Sequence, residues 1–365
     1  MTTTTALTQK GVYFTHPESV VIGKDVKPDQ ISAQNVVIHS GSRIFGERTV
    51  ICDGAVIGQE APATVENCCI GPNARLKGGY YKDAVFLAGA QTGSGAHVRD
   101  GTILEESASV AHTVGLKQTI LFPYVTLGSL INFWDCLMSG GTGPQNHSEV
   151  GSAYIHFNFT PQQDKATPSL IGDVPAGVMM NQPPIFLGGQ GGLVGPCRLA
   201  FGTVISAGTI NRQDEHRIGR LIFGGPAKSG NVAYTQGVYR SVSRIISHNL
   251  YYIASLYGLL LWYQHVRGRF VGPDMPEMLY QGLVRTLQAA IDERIKRFGA
   301  FAGKMNESAD RYEQQSRGNA SARLIQQKRE LARNWGALEA GLRSGPAGQD
   351  LALQRDTFLS ILDSA

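Results

Sequence analysis

The sequence predicts a mainly β protein: a left-handed parallel β-helix over residues 20–239, followed by an α-helical region over residues 240–365. Aliphatic residues recur every six positions, at Ile38, Ile44, Val50 and Val56, and again at Ile70, Leu76, Val98, Leu104, Val110, Leu193, Leu199 and Ile205. Glycine is abundant, with 44 residues, and charged residues make up only 17%, which indicates many tight turns. Beyond Ile222 the apolar spacing changes to three or four, the period of an α-helix.

A period of six fits a short strand followed by a tight corner, with one aliphatic side chain pointing inward on each face. Three such strands close a triangular coil of about 18 residues, and successive coils stack through parallel hydrogen bonds. Burial of each inward aliphatic contributes about 1.5–3 kcal/mol. An antiparallel sandwich would need alternation with a period of two and hairpin turns between strands, and neither dominates here.

Residues 1–19 precede the repeat and form a predicted N-terminal extension, without the basic and apolar stretches of a signal peptide. The period lapses at Glu60–Glu66, where we expect a small loop, and again over residues 140–167, where we expect a long inserted loop. Long loops on a rigid scaffold carry most binding and catalytic groups. The second lapse is therefore the first place to look for chemistry.

In the C-terminal region, apolar residues recur at helical spacing from Leu279 to Phe298 and from Leu324 to Leu342. We expect these helices to cap the last coil or to pack against a neighbouring subunit. The region has a surplus of Lys and Arg but no aromatic-and-basic motif, so no nucleic-acid partner is expected. The apolar stretch Leu250–Val266 is shorter than the roughly 20 residues that span a bilayer, so no membrane span is expected.

The five cysteines are odd in number and have no CxxC spacing, which argues against a disulfide framework or a zinc site. A reducing compartment, the cytoplasm, fits this pattern best. His39, His97 and His112 could suggest a three-histidine metal site, but no two of them form a close pair. We therefore predict no metal.

Two segments carry a resemblance to a known family. From Asn146 the chain reads NHSEVGSAYIHFNFTPQQDKATPSLIGD, and from Phe186 it reads FLGGQGGLVGPCRLAFGTVISAGTINR. Over about residues 120–215 this resembles the acetyltransferase half of the bifunctional enzyme that makes UDP-N-acetylglucosamine in bacteria. The resemblance implies a homotrimer that transfers acetyl from acetyl-CoA, as co-substrate, to the amine of an amino-sugar phosphate or a nucleotide sugar.

The resemblance assigns roles residue by residue. His147 matches the histidine that acts as general base, and Asn158 with Phe159 matches the Asn-Tyr pair that lines the substrate and acetyl pocket. Lys165 and Thr167 match the loop that binds the substrate, with Lys165 meeting the sugar phosphate. An amine attacks a thioester only when it is unprotonated, and histidine is the natural base near neutral pH.

The resemblance also places the co-substrate. Ala207 and Gly208 match small residues whose backbone faces the CoA arm, and Arg212 matches a basic residue near the CoA phosphates. Backbone N–H groups in a glycine-rich stretch can stabilise a tetrahedral oxyanion, and arginine or lysine neutralises phosphate.

The chain departs from the family pattern at several points. Phe122 and Asp135 stand near the places where the family presents basic residues for the sugar phosphate. His156, in the strand YIHFNF, is a reserve candidate for the base. Residues 1–60 contain no LxxGxGTRM-like loop, so no nucleotidyl transfer is expected. These departures leave a second hypothesis open: a non-catalytic β-helix protein that binds a sugar nucleotide as a regulatory or scaffold subunit. A third alternative is a purely structural trimer.

Overall fold

A computed structural model describes residues 3–158, 162, 165–176, 181–224, 234–240, 242–316 and 320–345. It shows a parallel β-solenoid of about 11 turns, which is followed in the chain by α-helices. The predicted fold class, a hexapeptide-repeat β-helix followed by an α-helical region, is confirmed.

The strands form three faces of a triangular prism, and each strand pairs in parallel with the equivalent strands of neighbouring coils. Face A holds Tyr13–Phe14, Val37–Ile38, Val56–Ile57, Arg75–Leu76, Gln91–Thr92, Ser109–Val110, Thr126–Leu127, Glu149–Val150, Phe186–Leu187, Val204–Ile205 and Leu221–Ile222. Face B holds Val21–Ile22, Arg43–Phe45, Ala63–Glu66, Gly79–Lys82, Ala96–Val98, Ile155–Phe157, Gly192–Val194 and Ile210–Asn211. Face C holds Val50–Ile51, Cys69–Ile70, Ala84–Phe86, Thr102–Leu104, Ser169–Ile171 and Cys197–Leu199. Two longer strands, Gly115–Leu121 and Asn132–Met138, bend from face B onto face C.

Inward side chains of equivalent strands stack along the prism. Ile38, Ile57 and Leu76 hold the same position in three successive coils of face A and are fully buried. The predicted repeat is out of phase by one residue at Val56, which is only half-buried because Ile57 takes the inward position.

At several corners between the faces, the backbone adopts the left-handed conformation with positive φ. We name the corners edge AB, edge BC and edge CA, each after the face it follows and the face it precedes. At edge BC single residues turn the chain: Asn67, Asp83, Gln118 and Asp135 have φ values of 53°, 48°, 50° and 58°. At edge AB, Gly79 has φ 133°, and a Cβ there would lie 2.2 Å from a carbonyl oxygen of the next coil. Only glycine fits that position.

The two predicted lapses contain regular strands. The expected loop at Glu60–Glu66 is wrong in most of its length, because Ala63–Glu66 is a strand of face B. Within residues 140–167, the strands Glu149–Val150 and Ile155–Phe157 continue faces A and B. The second lapse therefore divides into a hairpin before these strands and a loop after them. At the N-terminus, the first strand of face A begins at Tyr13.

Five α-helices lie in the described residues: α1 (Thr3–Lys10), α2 (Val242–His265), α3 (Glu277–Ala302), α4 (Met305–Gln315) and α5 (Ala322–Ser344). Short 3₁₀ turns span Pro17–Ser19, Pro28–Gln30, Val174–Ala176 and Arg267–Phe270. Helix α3 contacts the face-C strands of three successive coils, and α2 contacts Ser169–Ile171. Of the two roles expected for the helices, capping the last coil is not the one that α2 and α3 take, because they run lengthwise over face C; packing against a neighbouring subunit stays a prediction.

Because the helices cover face C, its strand residues are more fully buried than those of face A. Ala84–Phe86 and Thr102–Leu104 of face C are buried at every position, since one side faces the prism interior and the other faces the helices. Gln91–Thr92 of face A alternates between exposed and buried. In the part of the chain that the structure describes, faces A and B are thus the open flanks. None of the described helices combines the length and the apolarity that crossing a bilayer demands.

Candidate functional site

His147 lies on a β-hairpin that leaves the β-helix at edge CA. Gly141–Gly143 pairs antiparallel with Asn146–His147. Gly140 and Gly141 have φ values of 111° and 100°, which residues with a side chain rarely adopt. The glycines of the GGTG segment thus let the chain leave the regular coil and return to it.

The His147 ring is held in one tautomer. Its Nδ1 lies 2.9 Å from the carbonyl oxygen of Pro144. Because a carbonyl oxygen only accepts, Nδ1 carries the hydrogen and Nε2 of the neutral ring keeps its lone pair. Nε2 has no hydrogen-bond partner among the described residues, and the side chain is half-buried. The ring therefore presents the atom that a general base uses.

The predicted substrate loop leaves the β-helix at edge BC. Asn158 and Thr167 are buried, and the Thr167 hydroxyl donates to the Asn158 carbonyl. The Asn158 amide donates to Oδ2 of Asp135 at 2.7 Å. The Lys165 side chain is exposed, whereas its carbonyl accepts from Arg294 of α3 at 3.0 Å. The structure thus brings these predicted loop residues together, while Phe159 lies outside the described residues.

The predicted CoA-binding residues lie two coils further on. Ala207 and Gly208 are exposed at edge AB, and a Cβ on Gly208 would meet nothing within 4 Å. Arg212 is exposed at edge BC, and its carbonyl accepts from Arg244 at 3.4 Å. These residues are open to solvent, but they occupy two different edges of the prism.

The predicted site residues are therefore distributed over all three edges. The histidine lies at edge CA, the substrate loop and Arg212 lie at edge BC, and the remaining CoA residues lie at edge AB. A single chain does not bring His147 to the substrate loop, because a face of the prism separates their edges.

His156 is sealed inside the prism and is excluded as a base for an external amine. Its Nδ1–H donates to the Trp134 carbonyl, and the Ser169 hydroxyl donates to its Nε2 at 2.7 Å. Burial lowers the pKa of His156 to about 4. The ring is therefore neutral at physiological pH, and both of its nitrogens are occupied.

A groove on the open face B was not identified from the sequence. It has a cavity volume of about 460 Å³, and we call it the face-B groove. His97, Arg99, Asn132 and Trp134 line it together with Gly115, which carries no side chain. A Cβ at Gly115 would lie 2.6 Å from Oδ1 of Asn132, so a side chain there would displace the Asn132 amide.

The groove combines positive charge with aromatic surface. The pairing register of face B aligns Arg99, Lys117 and Trp134 as outward neighbours in three successive coils. The Arg99 guanidinium lies 5.1 Å from the centroid of a Trp134 ring, and Lys117 pairs with Asp100 at 3.4 Å. Arg99 has no carboxylate partner among the described residues. The Arg99 guanidinium and the indole on one open face suit an anionic ligand with an apolar or planar part, and Lys117 contributes beside them with its charge shared with Asp100.

Histidine also borders this groove. His97 stacks against Tyr80 with ring centroids 5.1 Å apart, and burial together with Arg99 lowers the pKa of His97. The neutral imidazole is therefore favoured at physiological pH. Its position on face B makes it a second histidine that an amine substrate in the groove could meet.

The two positions near which the resemblance expects basic residues do not face the groove. Phe122 is buried, and Asp135 turns edge BC. Equivalent face-A positions are 17 residues apart between Ser109 and Thr126, whereas the next interval includes the inserted hairpin. If coils are counted forward from the N-terminal side, where no hairpin interrupts them, Arg99 and Lys117 are basic residues at outward positions of face B.

The other candidate metal or redox groups are dispersed. No three His, Cys, Asp or Glu side chains cluster as metal ligands in the part of the chain that the structure describes. All five cysteines are free and buried. Burial raises the pKa of the Cys69 thiol to about 11 and that of Cys52 to about 12, so neither is a thiolate at neutral pH. His112 lies 2.8 Å from the Ser129 hydroxyl.

Comparison with known proteins finds relatives among the bifunctional GlmU proteins. No family model matches the chain. It is 26% identical over 205 residues to Bifunctional protein GlmU of Pelobacter propionicus, which covers 56% of this chain and 39% of that protein. It is 27% identical over 218 residues to the protein of the same name from Thermotoga petrophila, which covers 57% of this chain and 41% of that protein. It is also 26% identical over 151 residues to the protein of the same name from Streptococcus suis, which covers 41% of this chain and 30% of that protein.

The chain thus spans less than half the length of the curated relatives it matches. Together with the β-helix, these matches confirm the predicted resemblance to the acetyltransferase half of the bifunctional enzyme.

Proposed function

We propose that this protein is an acyl-CoA-dependent N-acyltransferase, with acetyl as the acyl group, that acts on the amine of an amino-sugar phosphate or a nucleotide sugar. The observation that carries the proposal is the face-B groove, an open depression lined by Arg99, Asn132 and Trp134 beside Lys117. The similarity to the GlmU proteins supports the reaction class, because the resemblance implies acetyl transfer from acetyl-CoA.

The groove suits the acceptor. Arg99 supplies a guanidinium without a carboxylate partner among the described residues, and Lys117, which pairs with Asp100 at 3.4 Å, lies one coil away. Phosphate needs such charges for binding. The Trp134 indole offers an apolar surface against which one side of a sugar ring packs, and the exposed Asn132 amide suits sugar hydroxyls.

The base in this proposal is His147, whose Nε2 lone pair is available because the Pro144 carbonyl holds the Nδ1 hydrogen. His147 lies at edge CA, away from the groove on face B. We therefore propose a homotrimer in which the hairpin of one copy meets the groove of the next. Coverage of face C by α2 and α3 supports this arrangement, because it leaves faces A and B for contacts between copies.

Acetyl-CoA is the proposed co-substrate. Arg212 is exposed at edge BC and suits the CoA phosphates, while the exposed backbone at Ala207 and Gly208 suits the extended pantetheine arm. The chemistry uses no metal, since the base deprotonates the amine and backbone N–H groups stabilise the oxyanion.

The test is release of free CoA thiol from acetyl-CoA in the presence of glucosamine 1-phosphate or a nucleotide-linked amino sugar. Arg99→Ala should raise the KM for the phosphorylated acceptor by about 10- to 100-fold, the usual loss for one charge-assisted hydrogen bond. Arg43→Ala is the matched control, because Arg43 is an exposed arginine on face B that does not line the groove. Absence of thiol release with every acceptor, or equal effects of the two variants, would contradict the proposal.

One observation favours a second candidate. His147 and the groove lie on different parts of one chain, so a chain that does not assemble has a groove without a base. The alternative is a non-catalytic protein that binds a sugar nucleotide as a regulatory or scaffold subunit. Calorimetric binding of a sugar nucleotide that depends on Arg99, without any thiol release, would identify this alternative.

A further inference from the structure

The C-terminal helices meet the predicted substrate loop at one buried polar junction, formed by Asp135, Asn158, Lys165 and Arg294, which we call the loop junction. Arg294 of α3 is only 2% exposed. One of its terminal nitrogens pairs with Asp135 Oδ1, and the other donates to the Lys165 carbonyl at 3.0 Å. A single guanidinium therefore connects a helix, a corner of the β-helix and the loop.

Asp135 is the centre of this junction. It turns edge BC with φ 58°, and its second carboxylate oxygen accepts from the Asn158 amide at 2.7 Å. Its neighbour Trp134 lines the face-B groove, and His156 donates to the Trp134 carbonyl from inside the prism. The position of the indole is thus tied to the corner that Arg294 holds.

Helix α2 and the segment before it hold the same loop at further points. The Asn249 amide donates to the Ala166 carbonyl at 3.0 Å. The Gln162 amide donates to the Val238 carbonyl at 3.1 Å, and its oxygen accepts from the backbone N–H of Gly237. The described residues Gln162 and Ala166 of this loop are therefore held by residues that follow them by more than seventy positions.

The chemistry of the junction favours orientation over stability. Burying an arginine and a carboxylate costs several kcal/mol of desolvation, and apolar residues of similar size often replace such a pair without loss of stability. A guanidinium instead fixes direction, because its N–H groups form a rigid planar fork. Displacement of a binding group by about 1 Å can reduce catalysis by about 100-fold.

We infer that the C-terminal helices are part of the acceptor site and that Arg294 is its positioning residue: through Asp135 and the Lys165 carbonyl it sets the loop that carries Asn158 and Lys165 and the corner that carries Trp134. This inference deepens the proposed function and rests on it for its kinetic test. Arg294 touches no substrate and acts through the groups it holds.

The experiment compares Arg294→Lys with Arg297→Lys, a matched control one turn away whose ion-pair partner among the described residues is Glu293 on its own helix. Hydrogen–deuterium exchange is measured on peptides that cover residues 158–168, and KM is measured separately for glucosamine 1-phosphate and for acetyl-CoA. We expect Arg294→Lys to speed exchange in the loop at least tenfold and to raise the acceptor KM at least tenfold. The KM for acetyl-CoA should change less than threefold, and the control should change neither quantity.

Asn249→Ala is the second variant, because it removes one loop contact without leaving a buried charge unpaired, and it should speed exchange in the same peptides. Equal exchange and equal acceptor KM in Arg294→Lys and Arg297→Lys would overturn the inference. If the wild-type protein shows no transfer activity, the proposed function fails, and the exchange data still decide whether Arg294 positions the loop.

Discussion

His147 and His156 lie on the same interrupted stretch and have opposite environments. The His147 ring is half-buried on a hairpin and keeps Nε2 available. The His156 ring is enclosed, and both of its nitrogens are hydrogen-bonded inside the prism. Strand alternation decides the difference, since His156 is the central, inward residue of Ile155–Phe157. Of the two histidines, only His147 can exchange a proton with an external amine.

Replacement of His147 by Ala should lower kcat of the proposed transfer by about 10²- to 10⁴-fold, the usual contribution of a general base. The thermal unfolding midpoint should stay within about 2 °C of wild type, since the one hydrogen bond of the ring among the described residues is to Pro144 in its own hairpin. Thiol release and calorimetry measure the two quantities. His16→Ala, at an exposed position near the N-terminus, is the control. Unchanged turnover in His147→Ala would exclude this residue as the base.

At the scale of elements, the C-terminal end of α2 is fastened to the β-helix by a buried acidic residue. Glu105 follows the face-C strand Thr102–Leu104 and is 3% exposed. Its carboxylate accepts from the Tyr263 hydroxyl, and Arg267 contacts both Glu105 and Glu106. Burial raises the pKa of Glu105 to about 7, with Arg267 opposing the shift and Glu106 adding to it.

This raised pKa predicts a pH-dependent stability. An unfolded glutamate keeps its ordinary pKa near 4.5, so between that value and about 7 the folded state binds more protons than the unfolded state. The contribution of Glu105 to the free energy of unfolding therefore falls as pH rises through this window, and the full cost of its charge is present above pH 7. Protonation at lower pH relieves that cost.

Glu105→Gln should remove this contribution. Between pH 5 and pH 8, wild type should lose more free energy of unfolding than the variant, as measured by urea denaturation at both pH values. The difference between the two proteins isolates Glu105 from the other groups that titrate in this range. Glu47→Gln, at an exposed position, is the control and should follow wild type. Parallel pH profiles for Glu105→Gln and wild type would show that Glu105 does not titrate in this way.

At the scale of the whole molecule, the helices make one flank of the prism unlike the others. Face C is covered, while the last coils of face A expose an apolar ladder. Phe186, Val204 and Leu221 are direct neighbours in that ladder and are 41%, 36% and 62% exposed. Contiguous apolar surface of this kind is typical of interaction sites. It supports the proposed homotrimer and points to the end of face A as a further contact between copies.

Val204→Glu should shift the proposed homotrimer toward monomers, because it places a charge in the centre of this ladder. Size-exclusion chromatography with light scattering measures the mass. Gln91→Glu is the matched control, since Gln91 holds the same outward position of face A in an earlier coil. A wild-type protein of monomer mass, or an unchanged assembly in Val204→Glu, would contradict the proposed contact. Loss of assembly should also abolish transfer, because His147 of one copy would no longer reach the groove of another.

The sequence by itself determined the β-helix, because the residue types within each short strand decide which of its side chains points inward. Each coil repeats the same choice of aliphatic, small and turn-forming residues, so Ile38 or Leu76 indicates its face without knowledge of any distant residue. The helical spacing after Ile222 is equally local. The roles of His147, Asn158, Lys165, Thr167 and the CoA-binding residues stay predictions that rest on the resemblance.

Only the tertiary structure decided which side chains meet. Arg99, Lys117 and Trp134 are neighbours through the regular register of face B, but only the folded surface shows that they border one open groove. The junction of Arg294 with Asp135 joins residues 159 positions apart, and it depends on how α3 docks on face C. Periodicity records which side of a strand is buried. It does not record which distant segment covers that side, because docking depends on the whole folded surface.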